Sequence, residues 1–113
     1  MNTLELEHRF EEIYGKRAEH TYFAPGRVNL IGEHTDYNGG LVFPCALSFG
    51  TYLLIAKRED RQNRFSSVNM DRSYTANANA FEDKPTAWIK YPIGVMKEFA
   101  ERGSDVSGYD LLY

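Results

Sequence analysis

A single cysteine, Cys45, is all the thiol chemistry the 113 residues hold, which excludes an internal disulfide and any metal site built on cysteine. No apolar run is long enough to span a bilayer and no charged-then-apolar leader opens the chain, so a cytoplasmic protein without membrane contact is expected. The net charge is −3 and lysine and arginine form no block, which leaves no electrostatic footprint for nucleic acid. Internal repeats and low-complexity tracts are missing. So is any glycine-rich phosphate cradle, including G-x-x-x-x-G-K-[ST]. His8 and His20 lack partners at metal-ligand spacing and are expected in solvent, and no metal ligands are assigned.

What the chain does have is apolar and aromatic content. At 42% hydrophobic and 14% aromatic it is composed as a folded domain or part of one, not as a disordered segment. Residues 2–14 read as an amphipathic helix, with Leu6, Phe10, Ile13 and Tyr14 at helical spacing. Asn2 and Glu5 form a capping box and Gly15 ends the helix. A short strand at 21–23 follows, turned out by Pro25-Gly26, with Leu30 and Ile31 as an apolar anchor beyond it. Asn38-Gly39-Gly40 reads as a turn, and 41–45 and 52–57 as two strands. Cys45 is expected as a small buried strand residue. The mixed charges of 57–64 read as the solvated end of a hairpin. Weaker strands are expected at 65–70 and 74–81. A helix is expected over about 88–102, with Ile89, Ile93, Met96 and Phe99 on one face; Pro92 starts it near Tyr91 or kinks it there, and Gly103 stops it. The last residues, from Gly108 to Tyr113, begin a strand.

The chemistry concentrates between Ala24 and Leu47. Arg27, Glu33, His34 and Asp36 fall close together, spaced by glycines that let backbone turn or approach a ligand without Cβ interference. A cation, two carboxylates and an imidazole on one loop suit a polyhydroxylated ligand, because each buried hydroxyl needs a hydrogen-bond partner. Outside such a context each would be an ordinary exposed turn residue, and Arg27 a salt-bridge partner of Glu33 or Asp36.

Gly26-Arg27-Val28-Asn29-Leu30-Ile31-Gly32-Glu33-His34-Thr35-Asp36-Tyr37 resembles the signature G-R-x-N-L-I-G-E-H-x-D-Y of the galactokinases, within the GHMP small-molecule kinases, at every specified position. Trp88-Ile-Lys-Tyr91-Pro-Ile-Gly94-Val95 and Gly108-Tyr-Asp-Leu-Leu are also similar to segments of that family. The resemblance covers the whole chain but only the N-terminal part of a galactokinase. It implies an α+β fold, a mixed β-sheet with packed helices, with residues 1–113 as the galactose-recognition part of the domain. The family's phosphate loop, catalytic aspartate and C-terminal domain lie outside these residues, and so do its magnesium ligands.

In such kinases the γ-phosphoryl of ATP passes to the anomeric hydroxyl of galactose, with Mg2+. The resemblance then gives Glu33, His34 and Asp36 to the sugar hydroxyls and Arg27 to the charge developing in transfer. Asp36 is the residue expected to separate galactose from its epimer. Asn29 and Tyr37 would brace the loop, and Trp88 would lie near the nucleotide base or pack in the core. By itself the chain is expected to be inactive, and to self-associate through a sheet edge left open beside Leu111 and Leu112. The alternatives are a non-catalytic galactose-sensing relative and an inactive truncation product.

Overall fold

The computed structural model describes residues 2–31, 39–41, 43–70, 73–77 and 88–113. They form two helices and a five-stranded mixed sheet, the α+β architecture expected from the sequence. The strands are β1 (His20–Ile31), β2 (Phe43–Lys57), β3 (Gln62–Ser66), β4 (Tyr74–Asn77) and β5 (Tyr109–Leu112), in the order β1-β2-β5-β3-β4. β5 runs antiparallel to β2 and parallel to β3, while β3 and β4 are antiparallel. The chain divides into two compact units, one of Met1–Thr21 with Leu53–Tyr113 and one of Tyr22–Tyr52.

The first unit holds both helices. Helix α1 (Thr3–Tyr14) starts where the capping box requires: the Asn2 side chain accepts from the Glu5 N–H at 2.9 Å, and the Asn2 N–H donates to Glu5 at 3.2 Å. Gly15 ends it with φ 71°, a left-handed conformation open to glycine. Leu6 and Phe10 are buried and Tyr14 half-buried, but Ile13 is exposed, which narrows the apolar stripe read from the sequence. The Tyr14 hydroxyl donates to the Leu111 carbonyl at 2.6 Å and so fixes α1 to β5.

Helix α2 (Lys90–Glu101) begins one residue before Tyr91, and Pro92 lies in its first turn, where a missing N–H forfeits no helical bond. Ile89 and Ile93 join Phe65 and Leu111 in one buried cluster, while Phe99 is exposed. Alternation along β5 turns Leu111 toward α2 and the flanking Asp110 and Leu112 toward the opposite face, where Lys16 at the end of α1 reaches Asp110.

Four features depart from the sequence reading. Pro25-Gly26 does not turn the chain; β1 continues through both, and β1 is an edge strand, the place in a sheet where proline is found. Residues 41–45 and 52–57 are not separate strands, since β2 is continuous from Phe43 to Lys57. The 57–64 segment is not a hairpin end: β5 lies between β2 and β3, and Arg58, Asn63 and Arg64 are wholly or partly buried. The open edge is not at β5, which is internal, with Leu111 and Leu112 at 2% and 0% exposure. Two smaller shifts follow, β3 ending at Ser66 and β4 described to Asn77.

The Tyr22–Tyr52 unit is a ribbon made from most of β1 and the first part of β2. Its strands approach so closely that a Cβ on Gly50 would stand 2.1 Å from the Ala24 carbonyl oxygen. Phe23 and Tyr52 stack at a centroid separation of 4.7 Å. Leu30, Ile31 and Cys45 are exposed, so neither the expected apolar anchor nor a buried cysteine is present.

Candidate functional site

Arg27 sits on β1 with its side chain in solvent, and Asn29, two residues on along the same strand face, is half-buried. Extended backbone runs on through these residues past the expected Pro25-Gly26 turn, and presents Arg27 from a strand. Gly26, just before it, tolerates the approach of β2; a Cβ there would meet the Phe49 carbonyl oxygen at 3.2 Å. Arg27 makes no ion pair with a described residue. Glu33, His34, Asp36 and Tyr37 lie outside the described residues, as does Asn38, while Gly39 turns with φ 76°.

Trp88 precedes α2 and is half-buried against the Phe65, Ile89, Ile93 and Leu111 cluster. The rings of Tyr74 and Tyr113 meet it nearly edge-on at 5.9 and 6.0 Å. Burial pushes the Tyr113 hydroxyl up to about 12, with the Tyr14 hydroxyl adding to the shift. The indole Nε1–H is buried and has no hydrogen-bond partner among the described residues. Trp88 therefore does pack against the core.

The sequence reading missed a cluster of charges on the other face of β5. Asp110 is fully buried and accepts from Arg64 Nε at 2.7 Å, Arg58 at 2.8 Å and Lys16 Nζ at 3.0 Å. Burial alone would raise its carboxyl, but the hydrogen bonds from Arg64, Arg58 and Lys16 outweigh it and hold the carboxyl below its ordinary value. Arg58 also grips Asp60, whose carboxyl is lowered to about 2 chiefly by that hydrogen bond. Nearby, Asn63 is buried with both ends satisfied, donating to Val106 O at 3.0 Å and accepting from Tyr109 N at 2.9 Å. An aspartate inside an otherwise apolar strand, facing a segment rich in arginine, was the available signal.

An open groove of about 700 Å³ lies along α1, lined by Leu4, Glu5, Glu7, His8, Glu11, Arg17 and Ala18. It includes no residue of the 26–37 motif, and its acidic lining opposes phosphate. His8 itself is exposed beside Glu12 at 3.5 Å. Among the described residues no group of three or more histidine, cysteine or acidic side chains is arranged to hold a metal ion. Nor is any described helix long and apolar enough to cross a membrane.

Comparison with known proteins matches residues 8–57 to the galactokinase galactose-binding signature. A galactokinase of Clostridium tetani is 46% identical over 113 residues, which cover 99% of this chain and 29% of the relative. One of Lacticaseibacillus casei is 47% identical over 107 residues, covering 93% and 28%. The crystal structure of Lactococcus lactis galactokinase complexed with galactose superposes with a TM-score of 0.85 at 35% identity, over 96% of this chain and 29% of that one. A mevalonate kinase of Methanococcus jannaschii, at 15% identity and a TM-score of 0.66, shares the fold. The chain thus spans under a third of the length of the galactokinases it matches. It belongs to the galactokinase family of GHMP small-molecule kinases, and corresponds to part of the length of that family's members.

Proposed function

We propose that this chain is the galactose-recognition part of a kinase that transfers the γ-phosphoryl of ATP to the anomeric hydroxyl of galactose in the cytoplasm. The observation that supports this reading is the galactose-binding signature matched over residues 8–57, which contains Arg27, Glu33, His34 and Asp36. Glu33 and Asp36 accept hydrogen bonds from sugar hydroxyls, and His34 offers a ring nitrogen as donor or acceptor. Asp36 selects the galactose epimer, since a carboxylate placed for one hydroxyl loses its bond when the epimer turns that hydroxyl away. Arg27, fixed on a strand, sets a planar cation beside the reacting oxygen and stabilises charge that develops on the transferred group. Trp88, half-buried against the core, would turn only its remaining exposed part toward the nucleotide base. Magnesium carried with ATP would screen the phosphates.

The test is a chimera in which this chain replaces the matched 29% of the Clostridium tetani galactokinase. ADP release should depend on galactose, with glucose a poor substitute. A chimera that folds, gains thermal stability with ATP, and yet turns over no galactose would overturn the reading.

A further inference from the structure

β1 is the outermost strand of the sheet and pairs with β2 alone, so β2 is what holds the strand that carries Arg27. Among the described residues of the Tyr22–Tyr52 ribbon only Gly26, Asn29, Leu47 and Tyr52 are half-buried, and the rest are exposed. Tyr52 is covered by its stack on Phe23 at 4.7 Å. Leu47 is covered by Gly26. A Cβ on Gly26 would meet Leu47 Cδ1 at 3.4 Å and Leu47 Cβ at 3.9 Å, so the leucine lies over backbone that has no side chain of its own. Successive strand residues face opposite sides, which puts Leu47 behind the strand, on the side away from the Arg27 guanidinium.

We propose that Leu47 is a positioning residue for phosphoryl transfer: seated on Gly26, it fixes the backbone from which Arg27 is presented. The inference rests on the role given to Arg27 under the proposed function, and adds the residue that aligns it. Of the three atoms nearest to a Cβ on Gly26, two belong to the Leu47 side chain. The third, at 3.2 Å, is the Phe49 carbonyl oxygen, which any residue at that position would supply. The size of residue 47 therefore decides how β1 settles on β2 beside Arg27. Truncating it opens space beneath Gly26, and an edge strand has no second neighbour to resist a shift into that space. Phosphoryl transfer is chiefly placement and charge, and a displacement of about 1 Å costs on the order of 10²-fold in rate. Glu33, His34 and Asp36, proposed for the sugar hydroxyls, lie further along the chain, so galactose binding should feel the change far less than transfer does.

The experiment measures kcat and KM for galactose in the chimera with the Clostridium tetani galactokinase, with kcat normalised to the folded fraction read by circular dichroism. Leu47→Ala should lower kcat about 10- to 100-fold and raise KM by less than about threefold. Leu47→Met, which keeps the volume, should hold kcat within about threefold of the unsubstituted chimera. A double-mutant cycle separates alignment from general support. Placed on Arg27→Lys, Leu47→Ala should cost less than about threefold more, since the planar fork it aligns is already gone. Amide exchange at residues 24–29 should quicken in Leu47→Ala, which reports the loosened strand without reference to turnover. Equal losses of kcat from Leu47→Ala in the presence and absence of the Arg27 fork would show a merely structural leucine and overturn the proposal. An unchanged kcat, unchanged exchange, or a loss as large in Leu47→Met as in Leu47→Ala would overturn it too. An active chimera indifferent to Leu47 removes this role alone, whereas a folded chimera that turns over no galactose removes the proposed activity and this role with it.

Discussion

Arg64 grips Asp110 at two points across the parallel pair β3 and β5, with Nε to Oδ1 at 2.7 Å and a terminal nitrogen to Oδ2 at 3.2 Å. The two residues are direct register partners, so the sheet itself aligns the fork with the carboxylate. Arg58, just past β2, and Lys16, just past α1, converge on the same group. One carboxylate thereby ties together four elements, α1, β2, β3 and β5. The Arg64 guanidinium also lies over the Tyr14 ring at 4.8 Å, adding a cation–π contact to the same junction.

Asp110→Asn keeps the shape of the side chain and removes its charge, leaving three cations around a neutral amide. Removing one partner of a buried ion pair costs about 3–5 kcal/mol, against at most about 1 kcal/mol for an exposed pair. The variant should therefore lose stability in that range by urea denaturation. Glu12→Gln, which breaks the exposed contacts to His8 and Arg9, should change it by under about 0.5 kcal/mol. Equal effects of the two would show that the cluster holds nothing together.

Acid should unfold the chain through the same group. In the unfolded state Asp110 titrates near the ordinary carboxylate value of about 4, whereas the folded value is lower. As pH falls the unfolded state takes up the proton first. The stabilisation is then fully present well above about pH 4 and is lost as pH falls through and below it. Asp60, held at about 2, contributes in the same direction. Urea midpoints measured from pH 7 down to pH 2.5 should fall steeply below pH 4, and the slope should flatten in Asp110→Asn.

Gly50 and Gly94 should respond to alanine with opposite signs. At Gly50 a Cβ would lie 2.1 Å from Ala24 O and 2.7 Å from the Pro25 Cα, backbone atoms that cannot rotate away. Gly50→Ala should destabilise the ribbon by about 1–3 kcal/mol, seen as faster amide exchange in β1 and the first part of β2. A Cβ on Gly94, within α2, meets nothing inside 4 Å. Gly94→Ala should raise stability by about 0.5–1 kcal/mol, since alanine loses less backbone entropy in a helix. A stable Gly50→Ala with unchanged exchange would contradict the close approach of the strands.

What the sequence made legible were features whose cause is local. The Asn2–Glu5 capping box, the Gly15 stop and the Pro92 start each depend on a few neighbouring residues, and each is present. What it concealed depends on partners distant along the chain. Pro25-Gly26 reads as a turn until β1 is known to be an edge strand, and Lys57 to Arg64 reads as solvated until Asp110 arrives from forty-six residues beyond Arg64. The expectation of an uncovered Leu111 and Leu112 failed because β5 is inserted between β2 and β3, a pairing no local pattern encodes. Family and fold class were legible from the signature. Of the proposed sugar-site residues, the structure places Arg27, whereas Glu33, His34 and Asp36 lie outside the described residues.

Arg27 offers a clean kinetic test of the proposed site in the chimera. Its side chain is exposed on β1 and pairs with no described residue, so Arg27→Lys should leave folding stability within about 0.5 kcal/mol. A loss of rate then cannot be assigned to unfolding, and equal urea midpoints would establish that. Lysine keeps the positive charge but replaces the planar fork with a point donor, which serves ground-state attraction better than alignment to a transferring phosphoryl group. Charge aimed at the transition state is worth on the order of 10²–10³ in kcat, so kcat for galactose should fall by up to that factor while KM rises far less. Asp36→Ala should likewise abolish galactose turnover and leave ATP-induced thermal stabilisation in place, separating the sugar half of the site from the nucleotide half. If Arg27→Lys instead raised KM with kcat unchanged, the guanidinium would be a binding group only, and the role assigned to it in transfer would have to be withdrawn.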